Sequence, residues 1–199
     1  MRKLSTRTFV LIPMLIAVLV ILGYVNIPQP AGLSITFNMI PVAIAAMTIG
    51  PVGGAIVGGA FGLISFLQCF GICGFSGMGA VLVGINPFLA FVQRFFPRLI
   101  DGILLGYIYR LLRPRTNVYF ACSVTGFCAA FLNTLLFMTS LVWLFGSTEY
   151  MQTSMAGRGM LAYIVAAVGV NGLVEMLVST VLTGAVGSAL EKAGFFRHK

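Results

Sequence analysis

The chain has few groups with which to face water and fewer with which to do chemistry. Only 8% of its 199 residues are charged, where a soluble domain carries about 25%. Its acidic residues number four, Asp101, Glu149, Glu175 and Glu191. It has one histidine, His198, in the tail. A soluble enzyme, a disordered chain and a secreted disulfide scaffold are excluded, because too little polar surface exists to cover a water-facing fold. A histidine dyad within the apolar body is excluded too. There is no H-E-x-x-H, no G-x-x-x-x-G-K-[ST] and no Rossmann glycine pattern. The chain therefore has no ATP-hydrolysing loop of its own and is not expected to be an enzyme. The four cysteines, Cys69, Cys73, Cys122 and Cys128, read as small apolar fillers, and neither a metal nor a cofactor is expected.

What is present is hydrophobic: 59% of the residues, with a mean hydropathy of +1.05. This is the composition of an all-α integral membrane protein. The apolar runs are Thr8 to Val25, Phe37 to Ile49, Pro51 to Phe70, Phe88 to Leu112, Val118 to Phe145 and Met160 to Leu190. They predict a six-helix bundle forming one transmembrane domain over residues 1–199. The second run is the weakest span, since 13 residues make only about 20 Å of helix. The net charge of +8 arises from basic residues placed between the runs, with no continuous basic stripe, so nucleic acid is not a partner. Arg2, Lys3 and Arg7 precede the first run, Arg110, Arg113 and Arg115 follow the fourth, and Lys192, Arg197 and Lys199 follow the sixth. Six spans with both termini cytoplasmic put all three clusters on the inner side.

Three loops then fall outside, and the second, about Cys69 to Pro87, is rich in glycine and apolar. Such a segment either lies over the bundle as a lid or packs there for stability alone. In the third run Gly54, Gly58 and Gly62 recur every four residues. That small-residue face lets another helix backbone approach closely, within the bundle or from a partner.

Ionisable groups inside a bilayer cost about 2.5 to 3.5 kcal/mol each on insertion scales, so they mark pairs or sites. Arg94, Arg98 and Asp101 share one face of the fourth helix, with Pro97 among them as an expected kink. Asn133 lies on the fifth helix, and Asn171 and Glu175 share a face of the sixth. Arg94 lies about 9 Å below the outer end of its helix, level with Asn133 and with no acidic partner at that depth. A planar guanidinium there suits a carboxylate or phosphate. Arg98 and Asp101 lie deeper and are expected to form structural ion pairs with each other or with Glu175. Asn171 and Glu175 either join that network or reach the ligand. Gln68, Phe75 and Asn86, in or beside the glycine-rich loop, complete the candidate binding set.

The stretch Phe37-Asn-Met-Ile-Pro-Val-Ala-Ile-Ala-Ala-Met-Thr-Ile-Gly-Pro51, continuing Val-Gly-Gly-Ala-Ile-Val-Gly-Gly-Ala-Phe-Gly62, resembles the substrate-binding S components of energy-coupling factor (ECF) transporters. So does Val168-Gly-Val-Asn-Gly-Leu-Val-Glu175. The overall pattern is most similar to the riboflavin, folate and pantothenate branch. The resemblance implies a bacterial plasma-membrane protein that captures a vitamin at the outer face. It further implies docking on a T-type transmembrane scaffold with two ABC ATPase subunits, and toppling in the bilayer to release the ligand inside. Pantothenate, a small carboxylate, suits Arg94 best. The alternative is a stand-alone small-solute permease or channel. Many S components carry Ala-xxx-Ala on the first helix as part of the scaffold contact, whereas here Ala17 is preceded by Pro13. The glycine face of the third run is the candidate for that contact instead.

Overall fold

The computed structural model describes residues 6–24, 27–28, 34–35, 37–155, 157 and 159–196. Arg2, Lys3, Arg197, His198 and Lys199 lie outside them, as do the side chains of several residues in the last helix, Asn171 among them. Eight α-helices occur among the described residues: α1 Thr6–Tyr24, α2 Met39–Thr48, α3 Pro51–Leu67, α4 Gly77–Ile85, α5 Pro87–Leu112, α6 Val118–Phe145, α7 Glu149–Met155 and α8 Met160–Lys192. Two two-residue strands, β1 Ile27–Pro28 and β2 Ser34–Ile35, pair antiparallel between α1 and α2. Among the described residues three helical stretches are long and apolar enough to cross a membrane, Pro51–Phe70, Val118–Phe145 and Gly172–Lys192; Thr8–Tyr24 and Met39–Thr48 are shorter apolar helices. α5 has the length, at 26 residues, but carries too many charges to qualify by composition.

Local chemistry sets the helix boundaries. Gly50 has φ 95°, a conformation open to glycine, and Pro51 then occupies the first turn of α3, where its missing N–H costs nothing. Asn86 Oδ1 accepts from the N–H groups of Phe88 and Leu89, both at 3.1 Å, and Pro87 follows, so α5 begins with a full cap. Asn117 does the same for α6, accepting from Phe120 N–H at 2.8 Å. Pro97 sits inside α5, which continues as one helix. A break falls in α8, at Gly169 (φ 30°, ψ −138°).

Most of α2 is enclosed by the other helices, and it forms the centre of the main apolar core with α1, α3 and α5. The most extensive helix pairs are α3 with α5 and α6 with α8. Glycine makes both possible. A Cβ on Gly54 would run into the Gly102 carbonyl, one on Gly58 into the Arg98 carbonyl, and one on Gly62 into the Phe95 backbone. In the second pair, Gly126 lies against the Ser179 carbonyl and Thr183, and Gly187 against Cys122. The Gly54, Gly58 and Gly62 face is therefore covered by α5. It is an internal seam and not a free surface for a scaffold partner, which corrects that expectation. Outward, large apolar side chains such as Phe9, Ile21, Val52, Leu177 and Trp143, the last 82% exposed, face away from the bundle, as they do when hydrocarbon is the solvent. The polar side chains Gln93, Arg94, Arg98 and Asp101 are buried inside it.

Candidate functional site

The glycine-rich segment expected as a long loop is a short turn followed by α4. Ser76 begins that helix, its Oγ accepting from Gly79 N–H at 3.2 Å. The same Oγ accepts from Arg94 Nη2 at 3.0 Å, while Ser65 Oγ on α3 accepts from Arg94 Nη1 at 3.2 Å. Arg94 is thus held between α3, α4 and its own helix. It is only 5% exposed, and its Nε–H has no hydrogen-bond partner. α4 comes this close because residue 79 is glycine: a Cβ there would lie 2.9 Å from Arg94 Nη2 and 2.6 Å from Cys69 Sγ.

One turn deeper, Arg98 Nη1 donates to the Arg94 carbonyl at 2.8 Å, and Arg98 Nε is also unpartnered. The Arg98 guanidinium stands 4.6 Å from the Phe61 ring centre and 5.0 Å from that of Phe137; Arg94 stands 5.2 Å from the same Phe137 ring. Asp101 is fully buried with neither carboxyl oxygen hydrogen-bonded. Arg113 pairs with Glu191, joining the ends of α5 and α8. The expected Arg98–Asp101 structural pair is therefore not formed. Phe61 from α3 and Phe137 from α6 lie against the Arg98 guanidinium where a carboxylate was expected.

The energetic consequence is a shortage of negative charge. Enclosing an ion in protein costs several kcal/mol after relaxation. Each cation–π contact returns about 0.5 to 2 kcal/mol, and each bond from a guanidinium to a neutral oxygen roughly 1.5 to 3 kcal/mol. These terms can hold the arginines in place, yet the acceptors they meet, Ser65 Oγ, Ser76 Oγ and the Arg94 carbonyl, are all neutral and serve three of their ten N–H donors.

The other candidates divide. Gln68 is buried, and its Nε2 donates to the carbonyls of Gly23 at 3.2 Å and Cys73 at 3.1 Å, tying the end of α1 to the turn before α4. Asn86 caps α5. Phe75 is 68% exposed in the turn before α4. Asn133 is half-buried on α6, with its Oδ1 enclosed and unpartnered. Glu175 is half-buried on α8. Ser65, Ser76, Gly79, Phe61 and Phe137 were not anticipated. Ser65 carried a signal, since it extends the Gly54, Gly58, Gly62 stripe that faces α5. The aromatic pair had none in the sequence.

A membrane bundle that encloses two guanidinium groups with no salt bridge to either among the described residues is suited to holding a small anion. Its class is set by comparison: the family described as "ECF transporter, substrate-specific component" matches residues 7–187, and the chain belongs to that family. Its members are transporter substrate-binding components and not enzymes. The chain is 29% identical over 204 residues to "Pantothenate transporter PanT" of Leuconostoc mesenteroides subsp. mesenteroides, covering 97% of this chain and 96% of that one. It is 28% identical over 206 residues to "Pantothenic acid transporter PanT" of Lactococcus lactis subsp. cremoris, covering 97% and 98%. The fold matches the crystal structure of the S-component for biotin from an ECF-type ABC transporter, with a TM-score of 0.63 at 18% identity, over 98% of this chain and 100% of that one.

Proposed function

We propose that the chain is the pantothenate-capturing S component of an ECF-type ABC transporter. In this reading residues 1–199 act as one domain in a bacterial plasma membrane. The vitamin enters from the outer face, and import is driven through a T-type scaffold and two ABC ATPases, because the chain has no nucleotide-binding loop of its own. The observation that carries the anionic ligand is Arg94: a buried guanidinium held by two neutral hydroxyls, with no acid bound to it. A carboxylate meeting that fork gains charge-assisted hydrogen bonds. The two full-length relatives support pantothenate as the carboxylate.

The topology proposed is six spans with both termini inside, supported by the three basic clusters. Here α4 and α7 are short helices outside the spans, and α2 completes its crossing within the bundle. Cysteine labelling at positions 115 and 198 should report the same side of the membrane; opposite sides would overturn it. For the ligand, calorimetric titration of the purified chain with pantothenate, biotin and riboflavin is decisive. Saturable binding of pantothenate at one site, with much weaker binding of the others, is expected. Preference for biotin or riboflavin would refute the assignment.

A further inference from the structure

We propose that Arg98 is the second arm of the anion site, and that Phe137 is the positioning residue that holds both arginines toward one shared negative group. This rests on Arg94 being the anion anchor, but not on which vitamin is bound. Both guanidinium carbons lie within 5.2 Å of the centre of the Phe137 ring. Their separation is therefore at most twice that distance. Two like charges so placed repel, and no carboxylate pairs with either among the described residues. Arg98 keeps its Nε–H without a partner, as Arg94 does.

A ring is an unusual choice of neighbour with a definite consequence. The face of Phe137 attracts a guanidinium electrostatically but takes none of its in-plane N–H donors. An aspartate or glutamate in its place would neutralise both arginines and remove their need for a ligand. The ring fixes their orientation and leaves that need in place. Phe61 acts likewise on Arg98, at 4.6 Å. An anion that meets Arg94 first thus also lowers the repulsion felt by Arg98, and the two arginines bind it as a unit.

The test uses the full chain in nanodiscs and two anionic probes, sodium propionate and pantothenate, with propionamide as the neutral control. Chloride is held at equal ionic strength. The readout is the concentration of each probe that gives half the maximal rise in melting temperature. For the parent, both anions should raise the melting temperature and propionamide should not. Arg98→Gln should need about 10- to 100-fold more of either anion. Phe137→Leu should need about 3- to 30-fold more. Phe137→Tyr, which keeps the ring, should restore the parent response, as mere filling of volume by leucine would not. If Arg98→Gln does not fold, the two Phe137 variants decide. Equal responses of parent and variants would overturn the inference and leave Arg94 as a lone anchor. A parent that responds to propionate but not to pantothenate would remove the vitamin assignment and leave the two-arginine site standing. No response of the parent to either anion would overturn both.

Discussion

Two glycines on α3, five residues apart, should respond in opposite directions to the same added methyl group. Gly54 meets the Gly102 carbonyl across the seam; both sides of that contact are backbone. Gly54→Ala can be accommodated only by moving α5 away from α3. A gap of 0.5 to 1 Å forfeits about a quarter to a half of the attraction between facing atoms, and overpacking of this kind costs about 1 to 3 kcal/mol. Because helix pairs in a bilayer are held mainly by such packing, the upper part of that range applies. Gly59 is buried too, but its Cβ would lie 3.5 Å from Leu99 Cδ1 and 3.7 Å from Phe95 Cε2, ordinary contact distances. Gly59→Ala should be neutral or stabilise by less than about 1 kcal/mol. Both variants should be compared in one detergent by thermal melting followed through helix content and aggregation. Equal effects of the two substitutions would refute the account of the α3–α5 seam.

Further outcomes follow from the polar groups. Asp101→Leu should raise stability by about 1 to 3 kcal/mol, since it removes a buried carboxyl with no hydrogen-bond partner; a loss of about 3 to 5 kcal/mol would mean that a buried ion pair had been broken, and melting separates the two. Asn86→Ala should cost about 1 kcal/mol through loss of the α5 cap, with pantothenate affinity within about twofold of the parent; a large affinity loss would show that Asn86 serves the binding set as well as the cap.

Much of the frame is legible in the sequence because membrane burial imposes length and composition. Val118 to Phe145 has identical bounds in sequence and structure. Pro51 and Leu112 each mark one helix end as read. The helix α4 was obscured by its own composition: Gly77, Gly79 and Gly84 argue for a loop, yet Ser76 supplies a cap and Gly79 makes room for Arg94. Pro97 lies inside a continuous α5, and a break in α8 falls at Gly169, where a glycine in an apolar run gives no local sign. Arg94 was legible as an unpaired cation, because its isolation from acids follows from there being only four in the chain. The surroundings of Arg98 were not legible. Helical spacing places Asp101 near it, but whether a carboxylate or an aromatic ring meets the guanidinium is decided by α3 and α6, far away in sequence.

The central claim, that a ligand carboxylate is held by Arg94, is tested most directly by comparing pantothenate with pantothenol, in which a hydroxymethyl group replaces the carboxylate. Dissociation constants are measured by calorimetry for the parent and for Arg94→Gln. One charge-assisted interaction is worth about 1.5 to 3 kcal/mol, so the parent should prefer pantothenate by about 10- to 150-fold. Arg94→Gln should lose most of that preference by weakening pantothenate binding alone. Equal affinity of the parent for the two compounds, or an undiminished preference in Arg94→Gln, would contradict the claim.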